Sequence, residues 1–112
     1  MLSRKNRIPR SDFKSFGRSV IFHSPTLFLS LYKKQNQSVS QFSFSCSKKV
    51  SKSAVQRNML RRRGYASIAK MLERIQSGYY FVFSFKKGAE KLSSNDIYTE
   101  IDSLLEKSDT LA

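Results

Sequence analysis

Apolar and polar residues alternate most cleanly over residues 39–47. Phe42, Phe44 and Cys46 fall on one side there, and Ser43, Ser45 and Ser47 on the other. A period of two marks a strand with one buried face. Residues 27–33 repeat the pattern, with Leu27, Leu29 and Leu31 set against Phe28, Ser30 and Tyr32. So do residues 79–87, with Tyr79, Phe81, Phe83 and Phe85 set against Tyr80, Val82, Ser84 and Lys86. A shorter strand is expected at 19–22, parted from its neighbour by His23-Ser24-Pro25, and residues 34–38 read as a hairpin loop.

Between 53 and about 76 the period changes. Leu60, Gly64, Ile68, Met71 and Ile75 make one helical stripe, with Arg62, Arg63, Lys70 and Arg74 on the far side. Arg57 and Arg61 continue the stripe towards the helix start. A charged extension of an apolar stripe cannot pack on the same core, so the first two turns are expected to project past the sheet edge. Gly64 costs a helix about 1 kcal/mol against Ala, and a close helix–sheet approach would be one reason to keep it. A last helix follows Ser93 or Ser94, with Asp96 in its first turn and Ile97, Ile101, Leu104 and Leu105 as its buried stripe. At the other end, residues 1–10 form a basic arm, extended because Pro9 disfavours helix at Ile8. Ser11 then caps a short helix with Phe13 and Phe16 on one face and Gly17 as its stop. Residues 108–112 are expected to fray. The fold class is α+β, an α/β sandwich: one mixed four-stranded sheet with helices packed on it, in the order α-β-β-β-α-β-α, making a single domain over 1–112.

Charge changes the picture most. The chain carries a net +13, with 21 Lys or Arg against 8 acids. Residues 1–89 hold 19 of the bases and only Asp12 and Glu73, whereas residues 90–112 hold two lysines and six acids. The acidic tail reads as a solvated helix face. A strongly basic body on a small folded domain points to nucleic acid. The charge is densest in residues 47–63, SKKVSKSAVQRNMLRRR, where Lys48, Lys49, Lys52, Arg57, Arg61, Arg62 and Arg63 have no acid among them. A solvated charge run normally interleaves acids for pairing. Here lysines leave a strand, a helix N-terminus offers free N–H groups, and arginine forks follow, all suited to phosphate.

The sequence offers no catalytic set. His23 is the sole histidine and Cys46 the sole cysteine, so a disulfide within the chain and a cysteine-cluster zinc site are both excluded. Cys46 reads as a small buried apolar side chain. No Walker-type loop or GxGxxG is present, and no metal site is expected in the chain. Neither a signal peptide nor a membrane span is evident, which suggests a cytoplasmic protein without membrane contact. Phe13, Phe16, Phe28 and Tyr32 are ambiguous. Each can be ordinary core, or together they can line a groove between the first helix and the sheet and stack on unpaired bases.

The stretch SCSKKVSKSAVQRNMLRR, residues 45–62, resembles the signature of the bacterial ribonuclease P protein component. That family has a strand ending in S-K-K, a turn, and A-V-x-R-N-R-x-K-R opening a helix. The order of the remaining elements fits as well, starting from the basic arm and Asp12-Phe13. Met59 stands where the pattern has its next arginine and Tyr65 where a further one is common, while Arg63 is additional. The resemblance implies the ribosomal protein S5 domain 2-like fold, with a left-handed βαβ crossover contrary to the usual right-handed preference. It implies the small subunit of a ribonucleoprotein endonuclease that removes the 5′ leader from precursor tRNA, hydrolysis being done by a catalytic RNA with Mg²⁺. No obligate protein partner is implied. Lys48, Lys49, Lys52, Arg57, Asn58, Arg61, Arg62 and Arg63 would then form the surface for the catalytic RNA. Phe13, Phe16, Phe28 and Tyr32 would form the leader cleft, with Ser43 and Ser45 on its floor. A ribosomal or RNA-chaperone-type binding protein without enzymatic partners is the alternative that shares the charge.

Overall fold

The computed structural model describes residues 2–36 and 38–111. Strands β1 (Val20–His23), β2 (Leu27–Lys33), β3 (Gln41–Ser45) and β4 (Tyr79–Phe85) form one mixed sheet in the order β1-β2-β4-β3. Only the β3–β4 pair is parallel. A parallel pair needs a long crossover, which is supplied by helix α1 (Ala54–Met71). Helix α2 (Ser94–Lys107) follows β4 and packs beside α1.

The alternation seen in the sequence fixes the two faces of the sheet. Leu27, Leu29, Phe42, Phe44, Phe81 and Phe83 are buried under the helices, against Leu60, Ile68 and Met71 of α1 and Ile97, Ile101, Leu104 and Leu105 of α2. Register places aromatic on aromatic: Phe42 opposes Phe81 and Phe44 opposes Phe83, with stacked rings 4.8 and 4.7 Å apart. Of the two expected caps, Ser93 starts helix α2, and it forms a capping box with Asp96.

Several expectations are corrected. The basic arm, expected to be extended throughout, contains a helical turn and packs on the fold. Leu2 and Asn6 are buried and residues Arg4–Asn6 form a 3-10 turn. The Ile8 N–H donates to the Phe42 carbonyl at 3.0 Å, while the Gln41 side-chain amide donates to the carbonyls of Lys5 and Arg7 at 3.2 Å each. β3 is an edge strand with unpaired backbone groups, and the arm covers that edge. The first helix is a 3-10 helix, Arg10–Ser15, with Pro9 rather than Ser11 at its N-cap. Helix α1 gives way to a 3-10 turn at Leu72–Arg74, and Ile75 leaves it to bridge Leu111. Residues 108–111 are docked rather than loose: Thr110 is buried and its carbonyl accepts from the Gln76 N–H at 2.8 Å. Met1, Gln37 and Ala112 lie outside the described residues.

The acidic tail is more than a solvated face. Glu100 accepts from the Thr26 N–H at 2.9 Å and from the hydroxyls of Ser24 and Thr26 at 2.5 Å each, tying α2 to the β1–β2 turn. Glu90 accepts from the Gly88 N–H, and Asp102 pairs with Arg74 at 3.2 Å. These carboxylates serve the α2 side of the fold. The Arg74–Asp102 contact is the one salt bridge among the described residues, so the basic surface stays uncompensated. No helix among the described residues is long and apolar enough to cross a membrane.

Candidate nucleic-acid interface

The face of the sheet away from α1 and α2 carries the second set of alternating residues. Register lays them out in rows: Tyr32, Tyr80 and Gln41; then Ser30, Val82 and Ser43; then Phe28, Ser84 and Ser45. The Arg10–Ser15 helix and Phe16 cross the first row. Phe16 packs 4.4 Å from the Tyr32 ring and 4.5 Å from the Tyr80 ring, and Phe13 stands 5.0 Å from Phe16, exposed. The Tyr80 hydroxyl donates to Asp12 at 3.0 Å, and Lys34 lies over the Tyr80 ring at 4.9 Å. Asp12, Phe16, Gly17, Tyr32, Lys33, Lys34, Gln41 and Tyr80 line a cleft of about 330 Å³, with Phe13 outside it.

Three of the four expected cleft aromatics therefore meet. Phe28 does not join them; it sits in the opposite row, 5.9 Å from His23. Ser43, half-buried, lies in the middle row and does not line the cleft, and Ser45, exposed, exchanges a hydrogen bond with Ser84 at 3.1 Å. Tyr80 is the cleft residue that the sequence pattern does not single out. It stands on the polar face of its strand, but nothing local to it shows that Phe16, 64 positions earlier, covers it. Partial burial, then the bond to Asp12, raises the Tyr80 pKa above its ordinary value. Partial burial lowers that of Lys34, and the Asp12 charge opposes the shift.

The Ser45 end of this face leads into the basic turn. Val50 is buried and pins the loop, leaving Lys48, Lys49 and Lys52 exposed around it. Ser53 caps α1 by accepting from the Gln56 N–H at 3.2 Å. No residue from Ala54 to Met59 is buried, and burial begins at Leu60. These first turns stay off the core, as the charged stripe implies, although Gln56, Arg57 and Met59 are half-buried. Arg57 folds back to donate to the carbonyls of Ser51 and Lys52 at 2.9 and 3.0 Å, stiffening the turn that holds the lysines. Arg61 donates to the Asn58 side chain, and Arg62 is exposed. Arg63 points the other way: its guanidinium donates to the Leu92 carbonyl at 2.7 Å, joining α1 to the segment before α2.

Two further residues, Arg7 and Tyr65, enter this surface from outside the 47–63 run. The Arg7 guanidinium lies 4.6 Å from the centre of the Tyr65 ring, and the Tyr65 hydroxyl accepts from the Phe44 N–H at 3.3 Å. With Asn58, Arg61 and Arg62 they line a second cavity of about 300 Å³. Arg7 and Phe16 thus lie on the two sides of the β3 edge, linked by only eight residues of chain.

Chemically, the surface can bind and position but holds no reactive set. Among the described residues no three His, Cys, Asp or Glu side chains come together as metal ligands. These residues do not fit a protein-held Mg²⁺. Cys46 is buried, and that burial raises its thiol pKa, so it is no nucleophile.

Comparison with known proteins agrees with this geometry. The model of the family described as Ribonuclease P matches residues 2–109. The ribonuclease P protein component of Microcystis aeruginosa is 36% identical over 72 residues, which is 64% of this chain and 60% of that relative. The aligned part of the chain thus spans somewhat under two thirds of that relative's length. In fold, the chain is similar to the RNase P protein of Staphylococcus aureus, with a TM-score of 0.83 at 16% identity over 96% of this chain and 98% of that one. It is also similar to the RNase P protein of Thermotoga maritima, with a TM-score of 0.78 at 17% identity over 90% and 96% of the two chains. With a family model covering nearly its whole length and a four-stranded mixed sheet that superposes on these structures, the chain belongs to the ribonuclease P protein family.

Proposed function

We propose that this chain is the protein subunit of ribonuclease P and assists a catalytic RNA in cutting the 5′ leader from precursor tRNA. Family membership supports the reading. The observation that carries it is the continuity of one surface: an aromatic clasp at Phe16, Tyr32 and Tyr80, a small polar strip at Ser43 and Ser45, and an exposed lysine turn at Lys48, Lys49 and Lys52. A single-stranded leader has unstacked bases and a charged backbone. Aromatic rings take the former in a sequence-tolerant way, and lysines follow the latter.

In this scheme Asn58, Arg61 and Arg62, on the start of α1, face the catalytic RNA, and Arg57 braces the turn from behind. Arg63 contributes mainly by fixing α1 to the segment before α2. Hydrolysis and its Mg²⁺ belong to the RNA. The protein supplies orientation, holding the leader so that the scissile bond is presented in one register. The test is affinity of the reconstituted complex for precursor against mature tRNA. The reading expects the protein to strengthen binding of the precursor selectively; equal strengthening of both would favour a general RNA-binding protein.

A further inference from the structure

We propose that Asp12 and Lys34 read the Watson–Crick edge of one guanine base of the leader, so that the cleft selects a base as well as an unpaired strand. The inference rests on the RNA-subunit reading above and deepens it. Asp12 is the only acid before Glu73 in a strongly basic chain. It lies in the cleft that takes the leader in that reading, with Phe16, Tyr32, Lys34 and Tyr80. A carboxylate there repels a phosphate backbone, so electrostatic capture alone would be stronger without it. The carboxylate is also fixed: Asp12 is half-buried, and the Tyr80 hydroxyl donates to its Oδ2 at 3.0 Å. Lys34 is fixed as well. Its ammonium donates to the Ser38 hydroxyl at 3.0 Å and to the Val39 carbonyl at 2.9 Å, and it stands 4.9 Å from the centre of the Tyr80 ring. The two charges therefore sit at the hydroxyl and over the face of one tyrosine.

An unpaired base in this cleft meets rings with its faces and charged groups with its edge. At about 330 Å³ the cleft is at the small end of small-molecule sites, which suits one base rather than several. A carboxylate only accepts, through about four lone-pair positions, so the bond from Tyr80 leaves room for others. An ammonium only donates, through three N–H bonds, of which Ser38 and Val39 take two. Guanine has the edge that matches this pair. Its N1–H and N2–H are adjacent donors for the two carboxylate oxygens, and its O6, next to them, accepts from the ammonium. Adenine and cytosine each place an acceptor nitrogen beside the amine, facing the second carboxylate oxygen. Uracil sets its N3–H between two carbonyls. Burial, and then the bond to Asp12, raises the Tyr80 pKa, so at neutral pH its hydroxyl remains a donor and keeps the carboxylate in place. The edge reader is thus preorganised, with little entropy left to lose on binding.

The test is binding of precursor tRNAs by the reconstituted complex. Each leader is uridine throughout except for one guanosine, placed at each position in turn. At one position guanosine should bind about fivefold to a hundredfold more tightly than uridine, the range for one bidentate base contact. Adenosine and cytidine at that position should bind several-fold more weakly than guanosine. Asp12→Asn leaves an oxygen to accept from Tyr80 but puts a donor in place of the second acceptor, so it should abolish the preference. Inosine lacks the N2 amine. Inosine in place of the guanosine should weaken binding several-fold with the wild type and not with Asp12→Asn, a coupling that a merely structural role would not produce. The inosine measurement on the wild type also serves where the variant fails to fold. A complex that favours precursor over mature tRNA yet prefers guanosine at no position would overturn the proposal and leave the subunit reading intact. So would a preference that persists in Asp12→Asn, one indifferent to inosine, or one shown by the catalytic RNA alone. A complex in which the protein does not favour precursor over mature tRNA would overturn the subunit reading itself.

Discussion

Gly64 meets the ring of Phe44 so closely that a Cβ built there would lie 2.5 Å from Cδ2. Phe44 cannot give way easily, because its ring is stacked on Phe83 and met edge-on by Tyr65. The glycine that looks unfavourable within the helix is thus what lets α1 approach the sheet. Gly64→Ala should destabilise the protein although it favours helix. Overpacking of this kind costs about 1–3 kcal/mol, against about 1 kcal/mol of helix propensity gained. A thermal midpoint below that of the wild type is expected, and an unchanged or higher midpoint would show that the ring can move.

Phe16 is the residue that closes the clasp, resting on both Tyr32 and Tyr80. Phe16→Ala should weaken binding of RNA carrying a 5′ extension by about 1–3 kcal/mol, the range for one stacked base. RNA lacking the extension should bind as before. Equal loss for both RNAs, measured by titration of the reconstituted complex, would place Phe16 in the scaffold instead.

The Tyr80–Asp12 bond gives the cleft an alkaline limit. Partial burial and this bond raise the Tyr80 pKa above 10.0. The folded value exceeds the unfolded one, so the contribution to stability is complete below about pH 10 and is lost as pH rises through the folded value. The stability difference between the wild type and Tyr80→Phe should therefore shift against the wild type above about pH 10. A difference constant from about pH 8 to about pH 11 by chemical denaturation would contradict this linkage.

Cys46 should behave as a core residue. It is 8% exposed, and its thiol pKa is raised by burial first, with Arg61 and Arg57 opposing. Thiol reagents at neutral pH should react slowly with the native protein and quickly in denaturant. Rapid labelling of the folded chain would mean that the β3–α1 turn opens.

The strands and both long helices were legible because each is defined by its own residues. Phe42 and Phe44 announce a buried face by period two, and Leu60, Gly64, Ile68 and Met71 announce another by helical spacing. The lysine turn was legible for the same reason, being a local run without acids. What escaped depends on partners distant in sequence. Tyr80 becomes a cleft residue only because Phe16 lies on it, and Arg7 joins α1 only because the arm follows the β3 edge. Phe28 shows the converse: the pattern put it on the correct face but could not tell which end of that face the first helix crosses. Glu100 looked like one acid of a solvated stripe, and its three bonds to Ser24 and Thr26 arise from the packing of α2 against a turn more than 70 positions away in the chain.

Cleavage of precursor tRNA by ribonuclease P RNA, with and without this protein, at low Mg²⁺ and low salt, tests the central claim most directly. The account predicts that the protein lowers the Mg²⁺ needed for leader removal and that the product keeps a 5′-phosphate. Cleavage unchanged by the protein across the Mg²⁺ series would contradict it.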